Sequence, residues 1–201
     1  SSGAVKVRFG EQLRIMLSQL GFRLVSAVGF TNAFTRTGAL FTLMPLIATE
    51  LIGLSATQIG AAMAIGSVLG LLATYPSGVL LDRYGRKAVI VPATILSGAS
   101  MALFYVAPNF SWFVGASILW GVASSIGGAA PAAYAADSAP EGMNAAAMSC
   151  YRTLSDLGYV LGPVLLGLLA DLTGAGTALL VSAVMLITIG ALFARFAPET
   201  H

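Results

Sequence analysis

Residues 78–87 read Gly78-Val79-Leu80-Leu81-Asp82-Arg83-Tyr84-Gly85-Arg86-Lys87, a charged, glycine-bounded run set between long apolar stretches. Residues 57–81 before it and 88–107 after it carry no charge. Each is about as long as the ~20 residues needed to cross a hydrocarbon layer of roughly 30 Å. The run therefore reads as a tight turn joining two membrane spans. Gly78 is expected to let the end of the earlier span approach a neighbour closely. Gly85 is expected to take a left-handed backbone conformation and reverse the chain. Asp82 is an acceptor beside helix ends, where it can meet a helix amino terminus or an arginine. Arg83, Arg86 and Lys87 would anchor the turn at the membrane surface. A loop that only set topology would need the positive charges, but not Asp82 and two glycines at this spacing.

Working outward, four further stretches have the same character, at residues 24–48, 112–136, 146–170 and 177–196. Together they predict an all-α membrane protein of six transmembrane helices, with short connections that make consecutive helices antiparallel neighbours. Composition agrees: 57% of the 201 residues are hydrophobic and only 9% are charged, with a mean hydropathy of +0.88. A soluble domain carries roughly 25% charged residues. The alternating apolar–polar period of a membrane β-barrel is absent. A net charge of +2 is too small to suggest a nucleic-acid partner. Cys150 is the only cysteine, which excludes an internal disulfide and a cysteine-based metal site. The only histidine is the terminal His201. No metal and no cofactor are expected.

The basic residues set the orientation. Lys6, Arg8, Arg14 and Arg23 precede the first span, Arg83, Arg86 and Lys87 lie between spans two and three, and Arg195 closes span six. Arg152 lies near the same end of span five. The three connections on the opposite side, around residues 50–56, 108–111 and 171–176, contain no Lys or Arg. By the positive-inside rule both termini are cytoplasmic and the chain is integral to the cell membrane, with the bilayer as its solvent. Residues 1–21 read as a basic, partly amphipathic segment and 22–201 as the six-helix bundle. The segment can be a surface helix on the inner leaflet, the tail of a linker, or both. A start at Ser1-Ser2-Gly3 without methionine points to a fragment or a processed chain.

Small residues recur at helix-packing spacing, as Gly66 with Gly70 in span two and Gly158 with Gly162 in span five. Lipid offers no hydrophobic drive between helices, so close backbone approach is what associates them. A second motif runs Arg152-Thr153-Leu154-Ser155-Asp156-Leu157-Gly158-Tyr159-Val160-Leu161-Gly162-Pro163, followed by Gly167. Pro163 removes a backbone donor and would kink span five, and Arg152 and Asp156 are placed to pair at i,i+4. Arg36 stands midway along span one, one turn after Asn32 and beside Thr35. An arginine at the bilayer centre costs about 2.5–3.5 kcal/mol on insertion scales and usually faces a cavity. Arg36, Asn32 and Thr35 are therefore candidates for a substrate or ion pathway; a structural pairing with an acid on another helix, or snorkelling from an offset span, is the alternative.

The loop resembles the signature G-x-L-x-D-R-x-G-R-K of the major facilitator superfamily, which lies between its helices two and three and, in weaker form, between eight and nine. The resemblance implies a twelve-helix fold of which six spans are one half, moving a small solute by alternating access between two bundles. It implies that Asp82 contacts a helix terminus of the opposite half, and that Arg86 pairs with an acid closing the fourth helix, here Asp137. Gly78, Asp82, Arg83, Gly85, Arg86, Lys87 and Asp137 would then form a gate. The Gly-Pro stretch resembles both an antiporter motif of helix five and a stretch of helix eleven in drug-exporter-like members. The arginine of the family's R-x-x-Q-G motif falls on Ser117 and is missing, which with the linker-like start favours the carboxy-terminal half. The expected partners are a small-molecule substrate, protons and the other six-helix half, and drug or amphiphile efflux is one form the function could take. A self-sufficient six-span homodimer, transporter or channel, is the alternative. An intramembrane protease would need a membrane histidine, and a lipid-phosphate transferase would need clustered aspartates; neither occurs, so no catalytic residue is assigned.

Overall fold

The structure, a computed structural model, describes residues 9–199; Lys6, Arg8 and His201 lie outside the described residues. The first span is the helical run Leu20–Glu50, which meets the short helix α1 (Phe9–Ser18) at 95°. It begins as α2 (Leu20–Thr35), passes through a π-helical segment (Arg36–Leu43) and ends as α3 (Met44–Glu50). Span two is α4 (Ala56–Tyr84) and span three is α5 (Arg86–Val106). Span four divides into α6 (Phe110–Gly127) and α7 (Ala130–Asp137), span five is α8 (Asn144–Thr173), and span six is α9 (Ala175–Phe196). Helices cover all six expected stretches, each end within four residues of its sequence-based position; five are long and apolar enough to cross a membrane, and the bent run Gly10–Ser18 with Leu20–Glu50 makes the sixth.

Local chemistry explains where the helices start and stop. Ser55 opens α4 with a capping box: its hydroxyl accepts from the Gln58 N–H at 3.3 Å, and the Gln58 side chain accepts from the Ser55 N–H at 2.9 Å. The Asn109 side chain caps α6 by accepting from the Trp112 N–H at 3.2 Å. The break in span four follows from Pro131, which has no N–H to return to the Gly127 carbonyl four residues back; α6 ends at Gly127. Pro45 likewise cannot bond back to Phe41, and the π-helical hydrogen bonding lies immediately before it. There the Met44 N–H donates to Ala39 O, five residues back, and the Thr42 hydroxyl donates to Thr37 O at 2.8 Å.

The six spans form two three-helix groups with matching seams. α4 packs mainly on α6, and α2 with the π-helical segment packs on α8; α5 and α9 join the groups. Each seam is built on a glycine pair spaced by four. A Cβ on Gly70 would meet Gly121 O at 2.5 Å, and Gly66 lies still closer to Ser117 O. A Cβ on Gly158 would meet Phe30 O at 2.5 Å, and Gly162 lies still closer to Phe34 O. Span two on span four thus repeats as span five on span one, the relation expected of two three-helix repeats inverted in the membrane. The other motif glycines differ. A Cβ on Gly78 or on Gly167 would have nothing within 4 Å, so the expected close approach at Gly78 is not made within this chain. α8 runs through Pro163 without a break.

Apolar packing gathers at the two ends of the bundle. One cluster includes Leu40, Met44, Phe104, Phe113, Leu179 and Leu186. The other, nearer the charged loop, includes Met16, Phe22, Ile90, Tyr134 and Phe193. Polar residues of spans one, three, four and five are left between them, and there a cavity opens.

Candidate functional site

The cavity encloses about 300 Å³ and is walled by residues 29–36 of span one, 90–97 of span three, 120–132 of span four and 151–159 of span five. All four stretches fall in the part of each span nearer the charged loop. Asn32, Thr35 and Arg36 line it together, so the three pathway candidates share one space. The Thr35 hydroxyl turns back to Thr31 O at 2.8 Å and satisfies itself within the helix. Asn32 and Arg36 make no side-chain hydrogen bond among the described residues.

Arg36 is held by rings. Its guanidinium lies 5.5 Å from the Trp120 ring centroid and 5.9 Å from that of Phe41, a cation–π arrangement. The contact with Phe41 depends on the π-helical segment. Five residues along an α-helix turn through about 500°, which leaves positions i and i+5 on divergent faces. Hydrogen bonding to the fifth residue brings them into line. The helix periodicity read from sequence does not contain this change of register.

Span five supplies the facing wall. Arg152 and Asp156 both line the cavity, but the i,i+4 ion pair expected between them is not formed: the only ion pairs among the described residues are Arg86–Asp137 and Lys87–Glu199. Pro163 acts one turn further along. Lacking an N–H, it leaves the Tyr159 carbonyl free, and the Thr37 hydroxyl of the π-helical segment shares its donation between that carbonyl and Ala33 O of its own helix, each at 3.1 Å. A hydroxyl thus satisfies the group that proline strands, as helices in lipid require. The bond adds to the contact of span five with span one that Gly158 and Gly162 make. Trp120, Tyr151 and Tyr159 complete the walls and were not singled out from sequence. Trp120 carries a signal in hindsight, being an indole directly ahead of the small-residue run of span four.

At the loop, Gly85 has φ +83°, the left-handed side expected of it, and joins α4 to α5 with no intervening residue. Arg86 Nε donates to Asp137 Oδ2 at 3.0 Å, with both side chains about a third exposed. The pair clamps the start of span three to the end of span four. Arg83 lies 5.7 Å from the Tyr84 ring. Lys87 donates to Ala197 O at 2.8 Å and lies 3.6 Å from a Glu199 carboxylate oxygen. With the Tyr134 hydroxyl donating to Pro198 O at 2.8 Å, it ties down the residues that follow span six. Asp82 is exposed and takes no partner among the described residues.

Residues 25–201 match the family model described as Major Facilitator Superfamily. Protein ZINC INDUCED FACILITATOR 1 of Arabidopsis thaliana is 36% identical over 94 residues, covering 47% of this chain and 19% of its own length. An uncharacterized MFS-type transporter of Methanocaldococcus jannaschii is 29% identical over 152 residues, covering 75% of this chain and 39% of its own. A multi-drug resistance efflux pump of Streptococcus pneumoniae is 29% identical over 154 residues, covering 72% of this chain and 38% of its own. The chain thus spans less than two fifths of the length of these curated relatives. Among solved structures, the E. coli fucose:proton symporter superposes with a TM-score of 0.78 at 19% identity, over 99% of this chain and 48% of that one. At that identity the likeness shows the fold.

Proposed function

Because the chain belongs to the major facilitator superfamily, and is therefore an integral membrane protein of a transporter family and not an enzyme, we propose that its six spans are one half of an alternating-access transporter. The cavity around Arg36 is its share of the solute pathway, and both termini face the cytoplasm. The observation that carries this reading is the cavity: three charged side chains line it, and none is neutralised by an ion pair among the described residues. All three are exposed on the open side of this chain, and charges carried within membrane-spanning helices are costly unless water or a solute reaches them. The loop charges are spent differently, on Arg86–Asp137 and on the residues after span six. They hold one end of the bundle closed on itself and leave Asp82 for a second bundle.

Two helices offer faces that support this reading. α4 and α8 are the least buried of the long apolar helices. They expose Leu71, Leu72, Tyr75 and Val79 on one and Val160, Val164, Leu168 and Leu172 on the other. Gly78 and Gly167 lie on the same two helices with open space in front of them. We take this chain as the carboxy-terminal half, with residues 1–21 as the cytoplasmic approach to it. A small solute moves with proton coupling, and efflux is the direction suggested by the pump among the relatives.

A substrate-independent experiment tests the reading. Asn32→Cys is placed in an otherwise cysteine-free version of the complete transporter, in membrane vesicles of each orientation. Alternating access predicts modification by a membrane-impermeant thiol reagent from both sides. Reactivity from one side alone, or from neither, refutes it.

A further inference from the structure

The walls of the cavity carry Arg36, Arg152 and Asp156, two cations against one anion. Low-dielectric walls with one excess positive charge concentrate anions and repel cations. Arg36 is also presented in a particular way. Its guanidinium carbon lies 5.5 and 5.9 Å from the ring centroids of Trp120 and Phe41, and its N–H groups have no hydrogen-bond acceptor among the described residues. Those groups form a planar fork, and its spacing matches the two oxygens of a carboxylate. Trp120, Tyr151 and Tyr159 supply aromatic surface around the same space, which suits an offset-stacked or edge-on ring. The hydroxyl of Ser155, on the same wall, is buried next to the Tyr151 side chain.

We infer that the cavity takes an aromatic carboxylate, a flat organic anion whose carboxylate meets the free edge of Arg36 and whose ring lies among Trp120, Tyr151 and Tyr159, and that it discriminates against organic cations of the same shape. The inference rests on the cavity being the solute pathway and goes beyond it in naming the substrate class. Asp156 does not reverse the preference. It stands one helical turn from Arg152, so a cation entering its reach meets that arginine as well.

The test uses three probes with one ring system: naphthalene-1-carboxylate, neutral naphthalen-1-ylmethanol and cationic naphthalen-1-ylmethylammonium. Binding to the complete transporter in detergent micelles is measured by equilibrium dialysis. The carboxylate should bind saturably and about tenfold or more tighter than either isostere, the size of one charge-assisted hydrogen-bonded contact. Arg36→Gln should weaken the carboxylate by about the same factor and leave the neutral probe unchanged. Arg36→Lys should recover only part of the loss, because the charge returns without the fork. Trp120→Leu should weaken all three probes together. Size-exclusion profiles matching the parent establish that each variant is folded. Ammonium binding as tight as the carboxylate, or an unchanged carboxylate affinity in Arg36→Gln, overturns the inference, as does absence of saturable binding by any probe. None of these results depends on the two-sided labelling of Asn32→Cys, so the solute pathway can stand while the substrate class falls.

Discussion

Gly162 and Gly167 belong to one helix and one motif, yet only the first is predicted to resist a methyl group. At Gly162 a Cβ would overlap the Phe34 carbonyl oxygen and lie 3.0 Å from both the Phe34 carbonyl carbon and the Thr37 hydroxyl. The obstacle is mostly backbone, so no rotamer change relieves it. Span five would have to move off span one, loosening the Thr37–Tyr159 bond and every contact along the seam. Overpacking of this kind costs about 1–3 kcal/mol. At Gly167 nothing lies within 4 Å, and alanine should gain about 1 kcal/mol from helix propensity. That propensity gain is common to both sites and cancels in their comparison. The difference between Gly162→Ala and Gly167→Ala is thus the steric cost alone, about 1–3 kcal/mol, or roughly 5- to 150-fold in the folding equilibrium. Reversible unfolding of the 201-residue chain in mixed detergent micelles, titrated with a denaturing detergent and followed by far-ultraviolet circular dichroism, measures it. Coincident transitions for the two variants would refute the packing of span five on span one described above. The same pair in the complete transporter extends the test. If a second bundle packs on the exposed face of α8, Gly167→Ala should lose its advantage there.

Two further outcomes test the loop and the orientation. Asp82→Asn in the complete transporter should insert normally and bind solute with little change, while turnover falls about tenfold or more, the worth of one charge-assisted hydrogen bond lost from the closed state. Parental turnover in that variant would leave the loop with a purely topogenic role. With Cys150 replaced by alanine, membrane-impermeant thiol reagents applied to intact cells should label Asn109→Cys and Gly174→Cys and spare Tyr84→Cys. Labelling of Tyr84→Cys from outside would invert the assigned topology.

What the sequence revealed and what it hid divide along a physical line. Span positions are properties of local composition, since a largely charge-free stretch of some twenty residues crosses a bilayer whatever its neighbours do. The turn at Gly85 and the glycine steps at Gly66 with Gly70 and Gly158 with Gly162 are nearly as local, because positive φ and close backbone approach both require the missing side chain. Arg36, too, was legible as an anomaly, one charge in an apolar span. Its surroundings were not. Trp120 and Phe41 reach it from a different span and from a different helical register, and a hydrophobic period cannot report that a segment bonds to its fifth residue instead of its fourth. The same blindness explains Arg152 and Asp156. Spacing along one helix made them a pair, whereas both line the cavity without pairing. Pro163 shows how the local and the distant combine. From sequence it reads as a donor lost and a kink gained, but the carbonyl it strands at Tyr159 is taken up by Thr37 of span one, and the helix continues unbroken. The proline therefore acts less on the shape of its own helix than on the contact between two helices, the one that Gly158 and Gly162 make.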